Sequence, residues 1–316
     1  MATVHEAKVL VDELVTILQH GAIGLTVNEV IKAGSLGHGT AVPGDFDLDL
    51  VIYSSDVNAI EIRDIGARGE RTPYGDIDTG YGKYLHRLRS FLGSSVPGVT
   101  LNKAKPHAVN FSYGGIDVDL LVSPIWPDQS TFWKFLQDVD QDQIFDFSVN
   151  ASKWQVEFFS DEKQVSSQVK EFIKRAKAWR NKKWSHSNVG KPKSYFLSLL
   201  VLKAYENARE RGVSTSLIAR ETTVDLKKIV KDHRNARIHW ERFYHFQGPA
   251  GTSYPRLYVP GYPRILDPAN PTNNLYETGF GKRHDYDKGD GNWAELVANI
   301  DTIDLTKSVE EMHAVQ

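Results

Sequence analysis

The chain has no cysteine among its 316 residues, so it can hold neither a disulfide framework nor a zinc–thiolate site. It also lacks any apolar run approaching the ~20 residues that a membrane-spanning helix needs. Charge of one sign is missing too. The 38 Lys and Arg stand against 40 Asp and Glu, a formal −2, which argues against a positively coated surface for indiscriminate nucleic-acid binding and leaves room only for a local basic patch. From Met1 the chain runs into a polar, helix-like segment rather than a basic-then-apolar leader. These absences predict a soluble, cytoplasmic chain with no membrane partner. The length is enough for two domains and a sizeable core.

The informative stretch is residues 32–54, K-A-G-S-L-G-H-G-T-A-V-P-G-D-F-D-L-D-L-V-I-Y-S. A strand turns alternate side chains to opposite faces, so Asp47 and Asp49 share one face at roughly 7 Å between Cα atoms. Leu48, Leu50 and Ile52 point the other way, into a core. Two carboxylates side by side repel unless a cation lies between them. The hard, oxygen-seeking cation for such a pair is Mg²⁺, held by carboxylates and substrate phosphates. In front of the strand, Gly34, Gly37, Gly39 and Gly44 let backbone approach a ligand closely. Ser35 and the N–H groups of that turn form a concavity suited to phosphate oxygens.

A second acidic strand lies at residues 116–122, I-D-V-D-L-L-V. Asp117 and Asp119 both have the right phase to complete a cradle for two ions, which in such sites lie about 3.5–4 Å apart. Asp119 is favoured because an apolar run follows it directly, as one follows Asp49. Transfer of a phosphoryl-type group to a hydroxyl needs mainly positioning and charge neutralisation, which this set supplies.

Around these motifs, apolar spacing predicts a helix over 5–19 and another near 83–92, and β-branched residues predict a strand over 26–31. Residues 56–82 read as an exposed connection, and 110–113 and 116–122 as strands. Beyond about residue 130 the pattern turns helical, over 131–139, 162–183, 193–210 and 222–246. Residues 248–274 read as loop, and 273–292 as polar and mobile. The expected fold is α+β, a mixed sheet followed by a mainly helical half, divided into 1–150 and 151–316. On residues alone, Lys177 lies in a charge run and reads as a solvated helix face. Tyr195, among Phe196, Leu199 and Leu200, reads as core, His233, His239 and His245 as structural, and Asp267 in L-D-P as a turn residue.

The sequence G-S-x-G-x-G-T, then Gly44 and the D-x-D-L-V of 47–51, resembles the nucleotidyltransferase motif of the 2′-5′-oligoadenylate synthases, whose wider group includes cyclic GMP-AMP synthase. The helix F-I-K-R-A-K-A-W at 172–179, the segment P-K-S-Y-F-L-S-L-L at 192–200 and R-I-L-D-P-A-N-P-T-N-N at 264–274 resemble further signatures of that family. The resemblance implies a bilobal nucleotidyltransferase fold, with the catalytic lobe at 1–150 and the helical lobe at 151–316. It implies that Asp47, Asp49 and Asp119 bind two Mg²⁺. Gly34 and Ser35 would cradle phosphates, Lys177 and Ser194 would contact the triphosphate of ATP, and Tyr195 would stack on its base.

The implied reaction is template-independent joining of ATP into 2′-5′ oligoadenylates with release of pyrophosphate. The alternatives are a cyclic dinucleotide synthase or a catalytically silent RNA or nucleotide sensor. The family resemblance also implies double-stranded RNA as activator. Against that, residues 148–170 hold only Lys153, Lys163 and Lys170 beside Glu157, Asp161 and Glu162, a poor surface for phosphates.

Overall fold

The computed structural model describes residues 4–43, 48–61, 80–103, 105, 108–139, 150–240, 263–280 and 286–313, the side chains of 286–290 and 313 excepted. The chain forms two compact units, Met1–Glu157 and Phe158–Gln316.

The first unit contains α1 (Val4–His20), β1 (Val27–Lys32), α2 (Gly34–Gly37), β2 (Leu48–Ser54), α3 (Gly82–Ser95), β3 (Val99–Leu101), β4 (Val109–Tyr113), β5 (Ile116–Pro124) and α4 (Gln129–Gln137). The strands form one five-stranded sheet in the order β1-β2-β5-β4-β3. β2 and β5 run parallel, and the other pairs are antiparallel, so the sheet is mixed.

Register follows from the apolar alternation. On one face Leu48, Leu50 and Ile52 lie beside Val118, Leu120 and Val122, all buried. α1 buries Ala7, Val11, Leu14 and Leu18, one stripe at helical spacing, and packs on β1. α3 buries Tyr84, Leu85, Leu88 and Leu92 and packs on β3, β4 and β5. The opposite face of the sheet is divided lengthwise. Ala33, Val51, Tyr53, Ala108 and Leu121 form an apolar cluster there, and the acidic residues occupy the other end. The Tyr53 hydroxyl anchors the cluster, donating to the Asn150 carbonyl at 3.0 Å and accepting from the Lys153 N–H at 3.1 Å.

α5 (Ser152–Ser160) carries the chain from the first unit to the second. The second unit contains α6 (Ser167–Lys183), α7 (Ser194–Glu210), α8 (Ile218–Lys231), β6 (Arg237–Ile238), β7 (Arg264–Ile265), α9 (Leu275–Thr278), α10 (Tyr286–Ile300) and α11 (Val309–His313). Its centre is α7, which buries ten residues including Phe196, Leu199 and Leu200 between α6 and α8.

Three sequence expectations are corrected. The helix expected over 222–246 starts at Ile218 and stops at Lys231. A single 3-10 turn follows, and Ile238 then pairs with Ile265; residues 241–246 lie outside the described set. Pairing with a distant strand overrides a helical propensity that continues past residue 231. The 273–292 stretch, expected to be polar and mobile, holds helix at 275–278 and at 286–292, while 281–285 lie outside the described set. Asn274 caps α9 by accepting from the Tyr276 N–H at 3.2 Å. The Trp293 ring of α10 is buried and stacks on His233 at 4.5 Å and 5°. Finally, the glycine loop after β1 is the helical turn α2. Of the 248–274 loop, residues 248–262 lie outside the described set, as do 62–79 of the 56–82 connection.

Candidate active site

The parallel pairing of β2 with β5 sets Asp49 in register with Asp119. Laterally paired residues on adjacent strands lie about 4.8 Å apart and point the same way, so the two carboxylates stand side by side. Asp117, equally in phase, is one step further along and pairs with Ser112 of β4, whose hydroxyl donates to it at 2.5 Å. Asp47 lies outside the described residues. Among the described residues no three acidic or imidazole side chains are grouped as a cation would need.

Asp119 is held from two sides. Asn110, its cross-strand partner, donates through Nδ2 at 2.8 Å. Lys105 donates through Nζ to both carboxylate oxygens, at 2.8 and 2.7 Å. The pair is only partly exposed, 48% for Lys105 and 26% for Asp119. Lys105 thus neutralises this carboxylate and takes the place a cation would occupy.

The glycine turn is tied to the acidic strand by backbone. The Ala33 N–H donates to the Asp49 carbonyl at 2.8 Å, placing α2 next to the carboxylate pair. Gly34 has φ +61, a left-handed conformation that costs any other residue energy. The Gly37 N–H donates to the Ala33 carbonyl and the His38 N–H to the Gly34 carbonyl, at 3.2 and 3.0 Å. Ser35 Oγ is buried with no hydrogen-bond partner among the described residues. An unpaired buried hydroxyl is costly, and a ligand oxygen would relieve it.

In the second unit, Lys177 on α6 is 3% exposed, which overturns the solvated-face reading. Ala176, Ala178 and Trp179 are buried around it. One turn further on, Arg180 is also buried. It donates to Ser194 Oγ, to the Pro192 carbonyl at 3.4 Å, and through Nε and Nη2 to Asn181 Oδ1 at 3.0 and 2.8 Å. Ser194 is the first residue of α7 and Lys193 its N-cap. Burial holds the Lys193 ammonium below its ordinary pKa. Buried Arg180 and desolvated Lys193 therefore lie at the start of a 17-residue helix, a setting that favours anions.

Tyr195 is half-buried rather than core. Its ring leans on Phe159 at 6.0 Å and 51°, and its hydroxyl donates to Asp267 Oδ1 at 2.8 Å. Asp267 is a turn residue as expected, accepting from the Ala269 N–H at 2.8 Å. Asn110, Arg180 and Lys193 are not singled out by the sequence, and Lys105 reads there only as part, with Lys103, of an alternative basic patch for RNA. Arg180 alone carried a usable signal, three residues after Lys177 on the same helical face.

Comparison with solved structures shows the fold. Over 94% of this chain and 84% of that one, the structure of E. coli MS115-1 CdnC with ATP superposes with a TM-score of 0.53 at 19% identity. A CdnC:HORMA-deltaN complex from the same strain matches at 0.51, with 93% and 82% covered. The fold is that of a nucleotidyltransferase.

The family described as 2'-5'-oligoadenylate synthetase 1, domain 2, C-terminus matches residues 126–296, and the chain belongs to that family. Rat 2'-5'-oligoadenylate synthase 1A is 25% identical over 270 residues, covering 79% of this chain and 71% of the rat protein. Mouse 2'-5'-oligoadenylate synthase-like protein 2 is 26% identical over 272 residues, covering 79% of this chain and half of that protein, 50%. No helix among the described residues is long and apolar enough to cross a membrane.

Proposed function

We propose that this enzyme joins ATP units into 2′-5′-linked oligoadenylates without a template, releasing pyrophosphate. The observation that carries nucleotidyl transfer is the in-register pair Asp49 and Asp119, with the Gly34-Ser35 turn bonded to the backbone of Asp49 itself. The choice of ATP and of the 2′-5′ linkage rests on the family match over 126–296.

The residues suit Mg²⁺. Both donors are carboxylates, hard oxygen ligands, and Mg²⁺ would displace the Lys105 ammonium from Asp119. Asp49 and Asp119 would hold the metal, with Asp47, outside the described residues, as third ligand. When bound, such ions lower the pKa of an attacking hydroxyl and neutralise charge on the leaving pyrophosphate.

The other roles fall to the chain's own groups. The Ser35 hydroxyl donates to a phosphate oxygen and so gains the partner it lacks among the described residues. Asn110 fixes the carboxylate plane of Asp119. In the second unit, Lys177 and Ser194 take triphosphate oxygens, with Arg180 holding the Ser194 hydroxyl in place. Tyr195 offers its ring to adenine, a stacking interaction of about 1–3 kcal/mol.

Double-stranded RNA has weaker support as activator. Lys153 is paired with Glu29 at 2.8 Å and Lys170 with Glu162 at 3.4 Å, which lowers the positive charge those lysines offer to phosphates. The test is to incubate the pure protein with ATP and Mg²⁺, with and without double-stranded RNA, and digest the products with a nuclease specific for 3′-5′ bonds. Resistant linear oligomers support the reading. A cyclic product would replace it with dinucleotide cyclisation. No nucleotide product under either condition would leave a sensor.

A further inference from the structure

The 264–274 signature enters the reading above at no point, yet it reaches Tyr195. Asp267 is 1% exposed, and a buried carboxylate is tolerated only when its oxygens are well bonded. Its turn supplies two donors to Oδ1, the Ala269 N–H at 2.8 Å and the Asn270 N–H at 3.3 Å. An Asn or Ser would satisfy such a turn without a buried charge. The third donor is the Tyr195 hydroxyl at 2.8 Å, 72 residues away in sequence. A hydroxyl on a full carboxylate makes a charge-assisted bond, roughly twice as strong as a neutral one.

We propose that Asp267 is a positioning residue that sets the plane of the Tyr195 ring for a purine base. The ring is fixed at Cβ by the start of α7, leans on Phe159, and is tied at its far end by Asp267. Those three attachments remove the rotation that a half-buried tyrosine otherwise keeps. A stacking surface held in its binding orientation costs less entropy when the base arrives. Tyr195 is the residue that meets the ligand, and Asp267 acts through it. The proposal rests on the reading of Tyr195 as the base-stacking residue.

The test measures binding of a non-hydrolysable ATP analogue and of inorganic tripolyphosphate by calorimetry, on the full chain and four variants. Tyr195→Phe removes the hydroxyl while leaving the ring, Asp267 and its turn bonds intact. We expect it to weaken the analogue about tenfold, or ~1.4 kcal/mol, with tripolyphosphate unchanged. Asp267→Asn keeps an acceptor but removes the charge, so the loss should be smaller, about threefold. The double variant should bind no worse than Tyr195→Phe, because both changes act on the same bond.

If Tyr195→Phe binds as wild type while Tyr195→Ala is weakened, Asp267 does not position the ring and the proposal falls, though stacking stands. If Tyr195→Ala also binds as wild type, the stacking reading itself is wrong. Equal losses for both ligands, or additive losses in the double variant, would show a general structural role and overturn the proposal. Should Asp267→Asn fail to fold, the two Tyr195 variants still decide.

Discussion

A methyl group added at Gly37 tests how tightly the turn proposed to bind phosphate is built against the sheet. The new Cβ would fall far inside the contact distance of the Lys32 carbonyl oxygen, 2.8 Å from its carbon and 3.1 Å from Val156 Cγ2. The obstacle at Lys32 is backbone, inside a strand paired with Leu50 of β2, so no rotamer change relieves it. Either α2 moves outward by about an ångström or the β1–β2 ladder bends. Overpacking of this kind typically costs about 1–3 kcal/mol, and an unyielding backbone places Gly37→Ala at the upper end. For a unit of this size each kcal/mol is worth about 2–4 °C, so the melting temperature should fall by about 6–12 °C. Ser35 lies two residues earlier in the same turn, and any outward shift of the turn displaces its hydroxyl with it. ATP turnover below the melting range should therefore fall by more than the folded fraction. Thermal unfolding and steady-state kinetics on the same preparation provide both numbers. A variant that melts within 2 °C of wild type, a figure set by about 0.5 kcal/mol, and retains turnover would refute the tight-turn argument.

Lys105→Met removes the ammonium from Asp119. The pair is partly exposed, so without divalent cation the loss of stability should be modest, up to about 1 kcal/mol. Added Mg²⁺ should then raise the melting temperature more in the variant than in wild type, because the lysine no longer competes; equal shifts in a thermal-shift titration would count against a cation site at Asp119. Arg180→Lys keeps the charge but loses the planar fork that spans Ser194 and Asn181. KM for ATP should rise about tenfold, ~1.4 kcal/mol, and an unchanged KM would remove Arg180 and Ser194 from triphosphate binding. For Lys193, burial depresses the folded pKa. Between that value and the ordinary lysine value the unfolded chain binds more protons, so stability rises with pH through that window and the cost is full below it. Lys193→Met should therefore be more stable than wild type at pH 7 in urea unfolding without nucleotide, with the advantage shrinking as pH climbs through the window. A pH-independent difference would show that the lysine carries no desolvation cost.

What the sequence could reveal was whatever has a short period. Asp49 and Asp119 were legible because a strand buried on one face must alternate, and Leu48, Leu50, Val118 and Leu120 declare that face. The choice between Asp117 and Asp119 was less determined, since both share the phase. Register with Asp49, fixed by pairing across about 70 residues of chain, distinguishes their positions. Lys177 misled for a related reason. Five cations stand near it in sequence, so local composition describes a wet face, whereas burial depends on what packs over α6. The end of α8 failed similarly, because β6 pairs with a strand that local propensity cannot see.

Asn110 and Arg180, and the pairing of Lys105 with Asp119, share one property. Each acts by placing a polar group on a partner from another turn or strand, and polar partnerships of that kind follow no period. Catalytic carboxylates can be read from a strand's pattern because the fold needs that pattern for its own core. The side chains that orient them are chosen by geometry alone, so they become visible only when the distances are measured. Asp267 shows the consequence most clearly: its place in L-D-P declared a turn, and nothing local to it declared Tyr195.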